Sequence, residues 1–202
     1  SIDIVHCNDW QTGLIPALMA AQPRRWMKRS ASVFTIHNLA YQGQFPKDSF
    51  QYTGLDWKHF NPNEFEYYDQ LNYLKTGIVT ADAVTTVSPR YSQEIRTPKH
   101  GCGLDGVLES VSDRLAGITN GIDRNVWDPS TDTKLPAKYD IQNWREGKQL
   151  NKRSLQQQFN LEVSDEVPLI GLVGRLADQK GWDVILPVLR WHLSENRPTQ
   201  WI

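Results

Sequence analysis

Cysteine is scarce: Cys7 and Cys102 are the only two in 202 residues. Two thiols cannot form a disulfide framework. With no secretory leader in view, they point to a reducing compartment and free thiols. Neither sign of charge is in excess, since 22 Lys and Arg stand against 23 Asp and Glu and leave a formal charge of −1. No net field therefore draws the chain to nucleic acid or to an anionic membrane, and a site for a polyanion must be local. No apolar run approaches the roughly 20 residues of a membrane span. The five histidines, at 6, 37, 59, 100 and 192, are dispersed, and neither a CxxC pair nor an HExxH helix occurs. No metal held by this chain is expected. No strand is followed by GxGxxG, which argues against a dehydrogenase-type nucleotide site. Repeats and low-complexity tracts are absent.

Tryptophan, by contrast, is abundant, with eight residues. Indole faces stack on sugar rings, but they more often pack cores and interfaces. A more directive feature is the stretch Pro168 to Gly181 running into Trp182 to Leu186. Leu169 to Val173 is short, apolar and bounded by Pro168 and Gly174, as a strand covered on both faces would be. Beyond the turn, Trp182, Ile185, Leu186 and Leu189 form one helical stripe, with Pro187 in a position to shorten or kink it. A turn from a parallel strand into a helix lies at the edge where open α/β sheets bind ligands. Helix N-terminal N–H groups favour an anion there, and Arg175 and Lys180 add two positive charges. Phosphate is their natural joint target. An ordinary βα loop with a surface Arg and Lys is the alternative.

The chain opens in a strand, Ile2 to Val5, followed by the polar loop His6-Cys7-Asn8-Asp9-Trp10-Gln11-Thr12, with Thr12 placed to cap a helix through Leu14, Ile15, Leu18 and Met19. Asp9 then lies at the carboxyl end of a strand. A basic connection, Arg24 to Arg29, reads as a solvated loop before the strand Ser32 to Ile36. That strand ends in His37-Asn38-Leu39-Ala40-Tyr41-Gln42-Gly43, a second polar edge. Residues 46–68 read as a long insertion or lid with short helices. Leu71, Leu74, Ile78 and Val79 mark a helix ending near Ala81. Lys75-Thr76-Gly77 within it lacks the glycine spacing of a phosphate loop.

Ala83 to Val87 is the third strand, Arg90 to Arg96 a helix, and Gly101 to Gly106 a glycine-rich turn into a short helix of Val107, Leu108 and Val111. Leu115 to Thr119 forms a fourth strand, ended by Asn120-Gly121-Ile122-Asp123. Residues 124–144 are irregular and mark the passage between domains. A polar helix from Glu146 to Phe159 comes next, with Leu150, Ser154, Leu155 and Phe159 as its inner stripe. After it come the Pro168 stretch and, at Gln200-Trp201-Ile202, the start of a further strand. Four β-α units, a passage and the first unit of another domain define an α/β fold.

Five motifs in register now matter together: His6-Cys7-Asn8-Asp9-Trp10, Phe34 to Gly43, Thr85-Thr86-Val87-Ser88-Pro89, Thr119 to Asp123, and Gly174-Arg175-Leu176 with Lys180-Gly181. In this combination the chain closely resembles the bacterial and plastid glycogen/starch synthases, essentially end to end. The resemblance implies a GT-B architecture of two Rossmann-like domains. It implies transfer of glucose from ADP-glucose to the non-reducing end of an α-1,4-glucan, glycogen or starch, with retention. It assigns Gly174, Arg175 and Lys180 to the donor phosphates. Asp9 and His37 fall near the transferred glucose, Asp9 in positioning and His37 in sugar contact, in large part through its backbone carbonyl. Asn120 and the Gly101 to Gly106 turn line the cleft or serve the hinge. Metal-dependent transferases of the other common fold often use Asp-x-Asp, which this sequence lacks, in keeping with metal-independent chemistry. No further cofactor is implied, nor a nucleic-acid or membrane partner, and the family works in bacterial cytoplasm or plastid stroma.

The family's Lys-Thr-Gly-Gly-Leu loop and its later glutamate loop have no counterpart in these residues. The expectation is an internal fragment, inactive alone. Residues 1–122 would be the C-terminal part of the N-terminal, acceptor-side domain. Residues 123–202 would be the passage and the start of the nucleotide-sugar domain. Another retaining GT-B enzyme, a phosphorylase-like protein and a non-catalytic glucan-binding remnant are the competing readings.

Overall fold

The computed structural model describes residues 2–22, 30–195 and 197–202. The basic run Arg24 to Arg29 and Asn196 lie outside them. The chain divides into two units, Ser1–Gly121 and Ile122–Ile202, and each is described by itself.

In the first unit, β1 (Ile4–Asn8), α1 (Leu14–Ala21) and β2 (Ala31–Ile36) are followed by three short strands, β3 (Gln44–Pro46), β4 (Glu66–Tyr67) and β5 (Gln70–Asn72). Next come α2 (Tyr73–Thr80), β6 (Ala83–Thr86), α3 (Pro89–Glu94), α4 (Asp105–Ser110) and β7 (Leu115–Gly117). Strands β1, β2, β6 and β7 pair in that order, all parallel. Alternation along them sends Cys7, Phe34, Ile36 and Val84 to one face, where Leu39, Leu74, Ile78, Leu104 and Leu108 complete the main core. Burying a side chain such as Phe34 contributes about 1.5–3 kcal/mol. The opposite face is more polar. There His6 Nε2 and Thr35 Oγ1 lie 2.7 Å apart, and Thr35 Oγ1 and Thr85 Oγ1 2.6 Å apart, a chain of hydrogen bonds across three strands.

Several sequence expectations shift. The first strand runs through His6 to Asn8 instead of ending at Val5, because each residue from Ile4 to Asn8 has a partner in β2. Thr12 does not cap α1. Its hydroxyl donates to the carbonyls of Asn8 and Asp9, and Gly13 occupies the cap position. A Cβ at Gly13 would stand 1.9 Å from the Tyr73 carbonyl oxygen, so only glycine admits this approach of α1 to α2.

Residues 46–68 carry the short helices expected of them, 3-10 turns at Lys47–Thr53 and Trp57–His59. They flank the antiparallel sheet β3-β5-β4 and enclose their own cluster of Phe50, Leu55, Phe65 and Leu71. Phe50 meets the rings of Trp57, Phe60 and Phe65 at 5.0–5.5 Å. Leu71 belongs to β5, and α2 starts after Asn72, whose side chain accepts the Lys75 N–H at 2.9 Å. Lys75-Thr76-Gly77 is buried inside that helix. Ser88 accepts from the Tyr91 N–H and Pro89 occupies the first helical position, so Ser-Pro starts α3 as its chemistry dictates.

In the second unit the passage Ile122 to Asn143 has no strand or α-helix, yet its backbone groups are not left without partners. The carboxylates of Asp123, Asp128, Asp132 and Asp140 each accept the N–H two residues on, at 2.8–2.9 Å. These are Asx turns in succession. Asn151 then grips Ala137 through both its N–H and its carbonyl. Helix α5 (Trp144–Gln158), strand β8 (Leu169–Ile170), helix α6 (Trp182–Ser194) and strand β9 (Gln200–Trp201) complete the unit, with β8 and β9 parallel.

The predicted inner stripe of α5 is exposed at Leu150, Leu155 and Phe159, while Gly147 and Gln156 are the buried positions. Gln156 satisfies its amide through the Ser164 carbonyl and the Gln200 side chain. The strand expected to be covered on both faces shrinks to two residues, and Val173 stands fully exposed. A two-stranded sheet has too little surface of its own to bury it. Pro187 lies within α6 without ending it.

Candidate active site

The carboxyl edge of β1 and β2 carries the first group of candidate residues. Asp9 comes directly after β1 with φ 57° and ψ 179°, a region of backbone space that residues other than glycine rarely occupy. The conformation is held at both ends: its N–H donates to the Thr35 carbonyl at 3.0 Å, and its carbonyl accepts the Thr12 N–H at 3.1 Å. The strained backbone aims the carboxylate across to the neighbouring loop, where Oδ1 accepts the backbone N–H of His37 at 2.8 Å. The His37 ring is held as well, with Nε2 2.9 Å from Asn8 Oδ1. Asp9 and His37, separated by 28 residues, thus form one constellation with Asn8.

The two loops meet a second time one residue further on. Gly43 has φ 63°, and a Cβ there would lie 2.4 Å from the Trp10 indole. The ring of Trp10 continues into a row with Phe45 and Tyr73, centroids 5.8 and 5.0 Å apart. Gln42 ties in the glycine-rich turn: its Nε2 donates to the Cys102 carbonyl at 2.9 Å, and its Oε1 accepts from Asn72 at 2.7 Å. Tyr67 donates to the Gly103 carbonyl from the other side. Cys102 and Gly103 both have positive φ, so the turn is tightly bent as well as tied. Burial raises the Tyr67 phenol above its ordinary value, leaving it a neutral donor for that bond.

The second group lies in the other unit. Between β8 and α6 the chain makes a single 3-10 turn, Asp178–Lys180, and Gly181 at φ 73° leads into the helix. The Arg175 carbonyl accepts the Trp182 indole N–H and the Ala177 N–H, both at 2.9 Å, so Trp182 pins the loop to the start of α6. A Cβ on Gly174 would come 3.9 Å from Lys180 Cγ, which brings the two ends of the loop together. Among the described side chains neither Arg175 nor Lys180 forms an ion pair. Two of the early N–H groups of α6, those of Val184 and Ile185, are already taken by the Gly181 carbonyl. An anion at this turn would meet the cationic side chains and the remaining N–H groups of the first turn.

Asn120 is exposed beyond β7, and among the described residues no hydrogen bond joins it to Asp9 or His37. Sequence reasoning missed Asn8 and Gln42 as ties to the His37 loop. Both stand inside the five motifs, but the register that sets Asn8 opposite Thr35, two residues before His37, belongs to the folded sheet and not to any local pattern. Among the described residues no group of three or more His, Cys, Asp or Glu could hold a metal ion.

Comparison with known proteins is direct. Residues 1–110 match the family described as the starch synthase catalytic domain. A glycogen synthase of Rhodopirellula baltica is 55% identical over 203 residues, covering 100% of this chain and 40% of that protein. Glycogen synthase 1 of Methylococcus capsulatus is 48% identical, covering 93% of this chain and 37% of its own length. The catalytic domain of starch synthase IV from Arabidopsis thaliana, solved with ADP and acarbose, superposes with a TM-score of 0.89 at 34% identity, over 98% of this chain and 41% of that one. The chain spans about two fifths of the length of these relatives. Its parallel α/β fold is that of a GT-B glycosyltransferase catalytic domain, and the match to more than half of its residues decides its kinship: the chain belongs to the starch synthase catalytic-domain family.

Proposed function

We propose that the chain is part of a retaining glucosyltransferase that moves glucose from ADP-glucose to the non-reducing end of an α-1,4-glucan. The observation that carries this reading is the coupling of Asp9 to His37 at the carboxyl edge of a parallel sheet, made through a strained Asp9 backbone. Strain of this kind persists where the surrounding structure over-determines it, and it clusters at functional sites. With Oδ1 engaged by the His37 N–H, Asp9 keeps Oδ2 to accept a sugar hydroxyl. Asp9 then positions sugar or acceptor, and His37 contacts the glucose as it gains oxocarbenium character, in large part through its backbone carbonyl.

Arg175 and Lys180, with Gly174 giving close backbone access, are assigned to the donor phosphates. Their task is to neutralise charge as the glycosyl–phosphate bond breaks, which counts most in a water-poor site. Asn120 is assigned to the donor side as well. Residues 1–122 then form the acceptor-side domain, and 123–202 the passage and the start of the nucleotide-sugar domain. Adenine nucleotide and glucan as ligands are supported by the starch synthase IV neighbour, which was solved with ADP and acarbose. Bacterial cytoplasm or plastid stroma is the compartment this function implies.

The test is glucan elongation by the full-length protein with ADP-glucose, UDP-glucose or glucose 1-phosphate and glycogen as acceptor. ADP-glucose should be the preferred donor, and Asp9→Ala or Arg175→Ala should lower kcat by about 10²–10³. Residues 1–202 alone should be inactive. Preference for glucose 1-phosphate would make the enzyme a phosphorylase. If Arg175→Ala and Lys180→Ala left turnover intact and weakened only glucan binding, the catalytic assignment would be lost.

A further inference from the structure

We propose that Asn8 is a positioning residue for His37: it fixes the imidazole as the Nε2–H tautomer, so that Nδ1 is the ring atom offered to a ligand as a hydrogen-bond acceptor. The inference deepens the sugar-contact reading of His37 and rests on it for its functional half only.

Asn8 Oδ1 can only accept, so the 2.9 Å contact requires the proton on His37 Nε2. Neutral imidazole carries one ring proton, and placing it on Nε2 leaves Nδ1 as a lone-pair acceptor. Among the described residues Nδ1 takes no hydrogen bond, while Nε2 and the backbone N–H are both engaged.

The holding oxygen is itself fixed. Asn8 is the last residue of β1 and pairs with Thr35 of β2, and its carbonyl accepts the Thr12 hydroxyl at 2.8 Å. Asp9, the next residue, holds the other end of His37 through the backbone N–H. Two adjacent residues of one loop therefore constrain both the backbone and the ring of a residue in another. Of the two, the Asn8 contact decides which ring nitrogen is free, and a free acceptor at Nδ1 suits the donated hydroxyl of a polyol such as a sugar.

The test has two arms. In the 202-residue chain, ¹⁵N-edited spectra of the His37 ring should show the Nε2–H tautomer alone. Asn8→Ala should show both tautomers, and Asn8→Asp, which keeps an acceptor oxygen at the same place, should keep the proton on Nε2. In the full-length protein Asn8→Ala should lower kcat by roughly tenfold with the donor KM within about twofold, because misplaced contacts cost rate more than affinity. Asn8→Asp should recover part of that loss. The proposal is overturned if Asn8→Ala leaves the tautomer unchanged, or if Asn8→Ala and Asn8→Asp are equally impaired or raise only KM. Should the full-length wild-type protein transfer no sugar at all, the functional reading falls, while the spectra still decide the tautomer.

Discussion

Lys75 offers a measurable consequence of the first unit's packing. It is 2% exposed, and its ammonium donates to the carbonyls of Pro62, Glu64 and Glu66, the last two at 3.0 and 3.1 Å. Burial is the dominant influence and lowers its pKa from 10.5 to about 8, against a smaller opposing pull from the Glu66 and Glu64 carboxylates. The unfolded chain keeps this proton up to pH 10.5 and the folded chain releases it near pH 8, so stability rises with pH between those values. At about 1.36 kcal/mol per pH unit the full cost below pH 8 is at most about 3 kcal/mol, of which about 1 kcal/mol is regained from pH 7 to 9. For a unit of this size a gain of about 1 kcal/mol corresponds to roughly 4 °C. Calorimetry of the wild type and Lys75→Met at pH 7 and 9 isolates the effect, because every other titrating group is common to both. The first-unit transition of the wild type should gain about 4 °C relative to the variant over that interval. Equal pH slopes in the two proteins, or a relative loss in the wild type, would refute the reasoning.

Three further outcomes rest on named contacts. A Cβ on Gly77 would lie 2.6 Å from the Phe34 ring, so Gly77→Ala and Phe34→Leu should each destabilise the first unit. Their double mutant should lose at least about 0.5 kcal/mol less than the sum, read by urea unfolding. Gly43→Ala combines a positive φ with a clash against Trp10 and should cost about 2–4 kcal/mol while loosening the Asp9–His37 pair, visible as faster exchange of the His37 amide. Asp82 is held below its ordinary 3.8 chiefly by the Ser32 backbone N–H at 2.7 Å, with help from the Ser32 hydroxyl at 2.8 Å. Its contribution is present above pH 3.8 and disappears as pH falls through the lower folded value. Acid titration monitored by circular dichroism should therefore show a shallower loss of stability for Asp82→Ala than for the wild type.

What could be read from the residues alone depended on whether the deciding interaction was local. The parallel strands announced themselves because Ser32 to Ile36 and Ala83 to Val87 are β-branched runs bounded by polar edges, and those runs set the edge position of Asp9 and His37. Ser88-Pro89 specified its own helix start through one side-chain oxygen and one missing N–H. Gly13 replaced Thr12 as the cap of α1 for a reason no local pattern contains, a carbonyl from α2 that would stand 1.9 Å from any Cβ. The segment 46–68 read only as an insertion or lid with short helices because its aromatic residues have no period. Its order comes from ring contacts among Phe50, Trp57, Phe60 and Phe65, whose spacing in sequence is irregular.

The site divides along the same line. Asp9 and His37 were legible as separate ends of strands, but their bond depends on an Asp9 backbone at φ 57° that propensity would not select. That conformation is supplied from outside the loop, by the Thr35 carbonyl on the neighbouring strand. The strand register is thus the cause of the site geometry: Asn8 opposite Thr35 brings Asp9 level with Ile36 at the end of β2, and His37 is the next residue of that chain segment. A one-residue slip of β1 against β2 would send His6 and Asn8 to the apolar face, away from Thr35, and separate the carboxylate from the His37 N–H. Fold and chemistry in this unit therefore rest on one register, fixed by the burial of Cys7, Phe34 and Ile36 on the face opposite the polar one.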